Sequence, residues 1–211
     1  MKAKPGSLIF VVLGDWNKLY TTPRWLISRI FPKDVQVEVE LYGTDLDVNL
    51  RCNYKGVTVI PDKDKSTMKL ICNNMEADTI DFFQQVVVDF IKNVPSPEIR
   101  AYGFNIDMID DEDDRLPENL DHFWGERSLT EKGVLIEETK VSVKLAMENK
   151  TFNCTLSTDN KNTILSVNEH HDENKDSSQI ELPARCIESF LAHTKKIVEA
   201  FGYDLEEGDS I

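Results

Sequence analysis

The sequence predicts an α+β protein in which two β-α-β4-α halves form a largely antiparallel sheet, with helices packed on one face. Three observations lead to this prediction. Several segments alternate apolar and polar residues with a period of two, which is typical of antiparallel strands with one buried and one solvated face. Two longer segments carry apolar residues at helical spacing. The order of elements in residues 1–97 then returns in residues 98–203.

The first half opens with a strand and a short helix. Leu8 to Leu13 is an apolar run of strand length, and it closes at Gly14. Pro23 to Phe31 is predicted to be helical, with proline in its first turn and a stop at Pro32. The apolar run is too short for a secretory signal or a membrane span. We therefore expect a buried first strand in a cytoplasmic protein.

Four strands follow, and their alternation is regular. The first has apolar residues that we expect to lie on the buried face: Val35, Val37, Val39 and Leu41. The others are predicted at 46–54, 57–60 and 68–72. Gly43-Thr44-Asp45 and Lys55-Gly56 are the predicted hairpin turns. A helix begins near Asp78 and ends before Pro95, with an apolar stripe of Ile80, Phe83, Val87, Phe90, Ile91 and Val94.

The second half repeats this order. A strand is predicted at 98–109 and a short helix from Pro117 to Trp124. Four strands are predicted at 134–137, 141–147, 152–156 and 164–167. A last helix follows, which Gly202 caps at its C-terminus. Residues 204–211 form an acidic tail, which we expect to be disordered.

This element order resembles the β-α-β4-α unit of the TATA-binding-protein-like fold, in which two units form a curved sheet backed by helices. The resemblance rests on element order over most of the chain. The DNA-binding role of that family does not carry over, because the polar face of the sheet would bear Glu38, Glu40, Asp47 and Asn49. A DNA saddle needs basic and apolar groups there.

The net charge excludes one large class of partner. At −14, the chain repels the phosphate groups that begin most nucleic-acid binding. We therefore expect neither direct nucleic-acid binding nor attraction to an anionic membrane. A protein partner fits better, and a basic one fits best; a homodimer through an edge strand is also open.

No catalytic, cofactor or metal motif stands out. The sequence has no nucleophile elbow, no phosphate-cradling glycine loop and no paired-histidine zinc motif. The adjacent His170 and His171 would point to opposite faces of a strand, so they cannot both bind one metal there. The four cysteines occupy apolar positions without zinc spacing, and we expect reduced core thiols. The sequence thus names no cofactor and leans away from an enzyme.

The first candidate docking surface is acidic. It comprises Asp110, Asp111, Glu112, Asp113 and Asp114, which fail the EF-hand pattern because Arg115 stands where glycine is required. A solvated linker between the halves is the plainer interpretation, and a patch that docks a basic partner is the alternative. Both interpretations stay open at this point.

The second candidate docking surface is aromatic. It groups residues around the two short helices, and its members are Trp16, Tyr20, Arg24, Trp25, Phe123 and Trp124. These side chains either complete the core or anchor a partner, as tryptophan and tyrosine often do at interfaces. The sequence therefore favours a non-enzymatic protein-interaction or regulatory protein. The alternative is a small-molecule-binding protein or enzyme with a pocket between sheet and helices.

Overall fold

The computed structural model describes residues 1–16, 22–44, 47–62, 66–93, 98–110, 138–159, 162–176 and 179–205. In these ranges the protein is a mixed α+β fold with one large antiparallel sheet and three helices. The strands are β1 (Lys2–Ala3), β2 (Leu8–Gly14), β3 (Glu38–Thr44), β4 (Asp47–Tyr54), β5 (Val57–Asp62), β6 (Thr67–Cys72), β7 (Glu98–Asp110), β8 (Glu138–Met147), β9 (Lys150–Asp159) and β10 (Thr163–Asp176). The helices are α1 (Pro23–Ile30), α2 (Ala77–Asn93) and α3 (Cys186–Ala200).

The strands of the sheet run in the order β3-β4-β5-β6-β2-β7-β10-β9-β8, and β1 adds to β7 beside this path. Each recorded strand pair is antiparallel. The sheet is therefore built from two runs of hairpins, β3 to β6 and β8 to β10, which the long-range pairings of β2 and β7 join. This order leaves β3 and β8 as the terminal strands among the described residues.

The period-two pattern of the sequence explains why one face of the sheet holds the core. In β2, Leu8, Phe10 and Val12 are fully buried, while the residues between them are partly exposed. Helices cover the buried face: the ring of Phe104 on β7 lies 5.5 Å from that of Phe190 on α3. Buried apolar side chains from the sheet and all three helices form one hydrophobic cluster.

Local signals set several boundaries as the sequence predicts. The Thr22 side chain accepts a hydrogen bond from the Trp25 backbone N–H at 3.4 Å, so it caps α1 just before Pro23. At the other end of the chain, Gly202 has a φ of 89° directly after α3. This left-handed conformation suits glycine, and it ends the last helix.

Several predicted boundaries are wrong. β3 begins at Glu38 and continues to Thr44, so Val35 and Val37 precede the strand, and Gly43 and Thr44 belong to it and not to the predicted turn at Gly43-Thr44-Asp45; Asp45 lies outside the described residues. The strand predicted at 164–167 begins at Thr163 and extends to Asp176. Its polar C-terminal part has no apolar alternation to mark it; pairing along β7, as far as Asp176 with Glu98, makes it a strand.

The predicted repeat remains a prediction. The helix expected from Pro117 to Trp124 and the strand expected at 134–137 lie outside the described residues, so the order of the second half is only partly visible. Its described part has β7, β8, β9, β10 and α3. The division into halves at residues 97 and 98, and the TATA-binding-protein-like arrangement, are likewise untested. Of the acidic tail, Asp204 accepts a hydrogen bond from the Met1 ammonium at 2.6 Å, and residues 206–211 lie outside the described residues.

Candidate functional site

The terminal strand β3 exposes its apolar side chains. Val39 is 41% exposed, Leu41 69% and Tyr42 41%, and they are the large hydrophobic residues that stand exposed in the described part of the chain. Directly across the strand pair, Cys52 and Leu50 on β4 are buried. The expectation that Val39 and Leu41 are buried is therefore wrong within this chain. The physical reason is position: α1 packs against β4, and β3 lies beyond it at the end of the sheet.

The hairpin turn between β4 and β5 fixes which backbone groups of β3 point away from the sheet. Lys55 and Gly56 have φ of 46° and 73°, the positive values of a two-residue type I′ turn. Such a turn is closed by a hydrogen-bonded pair, here Tyr54 with Val57. Because bonding alternates along an antiparallel strand, Tyr54 and every second residue before it bond to β5. The residues between them, including Arg51, bond to β3.

This alternation leaves β3 with a row of outward backbone groups. Arg51 stands opposite Glu40 in the register, so Glu40 and every second residue of β3 direct their N–H and C=O groups to β4. The intervening residues direct these groups away from the sheet: Val39, Leu41 and Gly43. A row of outward donors and acceptors is a template for another strand. At β3 the backbone template and the exposed apolar side chains coincide.

Side chains on the other face of β3 are held by β4. The Arg51 guanidinium lies 3.6 Å from the Glu40 carboxylate, and its carbon lies 5.1 Å from the centre of the Tyr42 ring. One cation thus contacts both residues that flank Leu41 on the strand. These contacts pre-order Glu40 and Tyr42 without covering the edge.

The structure separates the predicted aromatic surface into core and solvent residues. Trp25 is 9% exposed and belongs to the hydrophobic core, and Trp16 packs against that core with its ring 5.7 Å from Phe90. Arg24 is exposed at the start of α1. The remaining members, Tyr20, Phe123 and Trp124, lie outside the described residues. A docking role for this group stays a prediction.

The acidic segment is described only at its first residue. Asp110 ends β7, half-buried and paired with Thr163 of β10. Its predicted companions Asp111, Glu112, Asp113 and Asp114 lie outside the described residues. The docking role predicted for them is therefore untested.

A buried charged cluster lies between β9, β10 and α3. The Glu169 side chain is 1% exposed, and its Oε1 atom lies 3.0 Å from Nζ of Lys150 and 2.7 Å from Nε2 of His171. The same Lys150 ammonium lies 3.3 Å from Oγ of Ser189 on α3. The His171 ring stacks on Tyr102 with centroids 4.5 Å apart. The cluster ties two strands to the last helix.

The cluster sets the protonation of Glu169. Burial raises the pKa of this carboxyl, but hydrogen bonds and charge from His171 and Lys150 outweigh burial, so its pKa lies below the ordinary value. Sequence reasoning missed Glu169 and Lys150, because they are 19 residues apart and meet only through strand pairing. It did predict that His170 and His171 point to opposite faces, which the structure confirms: His170 is exposed and contacts Asp172 at 2.9 Å.

A second charged group lies at the turn between β8 and β9. Glu148, in a positive-φ conformation, accepts hydrogen bonds from Nε2 of His193 at 3.2 Å and from Lys196 at 3.3 Å. The hydrogen bond from His193 is the largest cause that lowers the pKa of Glu148. Both partners are on α3, so this carboxylate fastens the turn to the helix.

The cysteines are core residues, as the sequence predicts. Cys52, Cys72, Cys154 and Cys186 are all buried free thiols. Burial raises the pKa of each to about 11. Because the thiolate is the nucleophile and the metal ligand, these side chains are poorly suited to either chemistry near neutral pH.

A surface cleft lies between α1 and α2, with a volume of about 420 Å³. Its lining combines apolar groups with cations and an acid, among them Arg29, Phe31, Lys33, Phe82, Gln85 and Asp89. The volume is within the range of small-molecule sites, roughly 300–1,000 Å³. The cleft lies between two helices, whereas the sequence-based alternative placed a pocket between sheet and helices.

In the ranges given above, no three His, Cys, Asp or Glu side chains are grouped to hold a metal ion. None of the helices in these ranges is long and apolar enough to cross a membrane. No protein-family model matches the chain. No curated protein shows significant similarity to it.

Proposed function

We propose that this chain is a protein-interaction protein whose binding site is the edge of β3, where it accepts an extended strand from a partner. The observation that carries the proposal is the exposure of Val39 and Leu41 on a strand whose alternation is that of a buried face. Pairing with a further strand would satisfy the outward backbone groups and cover both side chains.

The contrast within one strand pair supports this proposal. Leu50 and Cys52 lie on the same face of the sheet as Leu41 and Val39, and they are covered. The apolar row therefore continues past the limit of the core. Exposed apolar patches on soluble proteins mark interaction sites more often than scattered single residues do.

The chemistry of β3 restricts its partner. The incoming strand needs apolar residues at every second position, opposite Val39 and Leu41. If the partner is a different protein, the carboxylates of Glu38 and Glu40 favour basic residues at the positions between, in agreement with the net charge of −14. Such a complex weakens as salt is added, because the attraction is screened.

Affinity capture with matched variants tests the proposal. Wild type, Leu41→Lys and Lys195→Ala, a change at an exposed residue of α3, are immobilised, and lysate of the native source is passed over each at low and at high salt. We expect one or more proteins to bind wild type and Lys195→Ala, and to be lost from Leu41→Lys. Identical sets of bound proteins on all three columns would remove the edge of β3 from the proposal.

A second candidate function rests on the cleft between α1 and α2. Its apolar floor and its cations Arg29 and Lys33 suit a small amphipathic anion. Anilinonaphthalene sulfonate, an apolar anionic fluorophore, is a suitable probe. Saturable binding that Arg29→Glu abolishes and Arg24→Glu leaves intact would favour a small-molecule function; equal binding to both variants would remove the cleft as the site.

A further inference from the structure

We infer that the strand covering β3 is β3 of a second copy of this chain, paired antiparallel about Leu41. The inference rests on the proposed function and names its partner. Its basis is the self-complementarity of the strand, in length, in charge and in the direction of its side chains.

The length of β3 suits a two-fold pairing. Leu41 is the central residue of the seven in this strand. With the two-fold axis at Leu41, every residue of β3 has a partner in the second copy. The outward N–H of each Leu41 donates a hydrogen bond to the C=O of the other Leu41, and Val39 and Gly43 of opposite copies exchange the same two bonds. A homodimer of this kind closes after two copies, because both use the same surface.

Charge selects this register over those centred on Glu40 or Val39, and strand length selects it over the one centred on Tyr42, which leaves Glu38 and Val39 without partners within β3. With the axis at Leu41, Glu40 stands opposite Tyr42 and Glu38 opposite Thr44, so no two carboxylates face each other. An axis at Glu40 would place the two Glu40 side chains opposite each other, and an axis at Val39 would place Glu38 opposite Glu40. Like charges directly opposite destabilise a strand pair.

The side chains also match on each face of the sheet. Residues opposite each other on paired strands project to the same face, so Val39 and Leu41 of both copies form one apolar row that continues the core. On the other face, the Tyr42 phenol comes beside Glu40 of the second copy. Arg51 already holds both types of residue, at 3.6 Å and 5.1 Å, so little ordering is needed on association.

The strand at the opposite edge of the sheet, β8, has different exposed side chains from β3. On β8, Lys140 and Lys144 are exposed, and none of its side chains within the described residues is an exposed large hydrophobic group. Lysine on an edge strand is a device that discourages further pairing. Within the described residues, β3 is the terminal strand that carries exposed large hydrophobic groups.

Molar mass by light scattering tests the dimer, with substitutions that act on different parts of the edge. Wild type is expected to be a dimer at micromolar concentration. Leu41→Lys removes the central apolar contact, and Leu41→Pro removes the outward N–H; each is expected to weaken the dimer at least about 30-fold. Circular dichroism checks that both variants fold, which we expect because the Leu41 N–H is directed away from β4.

Disulfide trapping tests the register. Under mild oxidation, Leu41→Cys is expected to form a covalent dimer, because the two positions face each other within disulfide distance. Glu40→Cys alone is the matched control and should cross-link much less, whereas a mixture of Glu40→Cys with Tyr42→Cys should give a mixed dimer. The native cysteines are buried and should not interfere. Equal cross-linking of Glu40→Cys alone and Leu41→Cys would overturn the register.

The effect of salt on binding distinguishes a second copy from a basic partner. Each copy carries a charge of −14, so added salt should tighten the homodimer by screening the repulsion. A wild-type monomer whose edge still captures a foreign protein would overturn the inference and leave the proposed function standing. A dimer that Leu41→Lys and Leu41→Pro leave intact would also overturn it. If wild type is monomeric and Leu41→Lys captures the same proteins as wild type, both are wrong.

Discussion

Leu41 and Leu50 stand opposite each other on β3 and β4, yet Leu41 is 69% exposed and Leu50 is 4% exposed. The two leucines share a face of the sheet and an apolar row, so the boundary of the core falls between them. An exposed leucine contributes little to the stability of the folded chain. Its apolar surface contributes binding free energy when a further strand covers it.

This boundary predicts different effects of two leucine substitutions. Leu50→Ala should lower the free energy of unfolding by about 2–5 kcal/mol, because it opens a cavity in the core. Leu41→Ala should change the stability of the isolated monomer by no more than about 0.5 kcal/mol. Denaturant unfolding at concentrations below dimerisation measures both. Equal losses for the two variants would mean that Leu41 is covered within the chain.

Glu169 predicts a specific dependence of stability on pH. Because its pKa is lower in the folded than in the unfolded chain, the folded state holds this proton less tightly, and stability is lost as pH falls through the folded pKa. Glu169→Gln should cost about 3 kcal/mol at pH 7, since it leaves the half-buried Lys150 and His171 without the opposing charge of the buried carboxylate. The difference between the variant and wild type should shrink as pH falls below the ordinary value of 4.5.

Asp172→Asn is the matched control for this experiment. Its carboxylate is 86% exposed and lies 2.9 Å from Nε2 of the exposed His170. Its substitution should change stability by about 0.5 kcal/mol or less. A Glu169→Gln variant that behaves like Asp172→Asn at every pH would contradict the buried role of Glu169.

The buried thiols predict chemical inertness. With pKa values of about 11, the four cysteines should not react with Ellman's reagent in the native protein at pH 8. All four should react in denaturant. A cysteine that is labelled rapidly in the native state would show that its surroundings open readily.

The aromatic surface gives two variants with opposite outcomes. Trp25→Ala should lower the free energy of unfolding by about 3–5 kcal/mol, because the ring is part of the core. Arg24→Ala should leave stability within about 0.5 kcal/mol, because the side chain is exposed. Thermal or denaturant unfolding checks both. A stable Trp25→Ala variant would show that the ring does not contribute to the core as described.

The sequence predicted the elements whose signal is local. An apolar run located β2, alternation located β3 to β6, and the Lys55-Gly56 turn joins β4 and β5 as expected. It could not predict the extension of β10 to Asp176, because those residues are polar and pair with β7 only through tertiary structure. The charged cluster was missed for the same reason, since Lys150 and Glu169 meet across β9 and β10.

The sequence predicted which side chains of β3 share the apolar face, but not that they are exposed. Alternation identified Val39 and Leu41 as apolar-face residues, and that pattern is correct. The error concerned what covers them, because the position of a strand within a sheet depends on long-range pairing that a single sequence does not show. The mismatch between pattern and exposure is the clearest indication of function in this structure.

Amide hydrogen exchange along β3 tests the central claim most directly. In purified wild type at high concentration, the outward amides of Val39, Leu41 and Gly43 should exchange as slowly as those of Glu40 and Tyr42, which bond to β4. On dilution below dimerisation, only the outward amides should become fast. Fast exchange of the outward amides at every concentration, with slow exchange at Glu40 and Tyr42, would show that no second copy covers this edge.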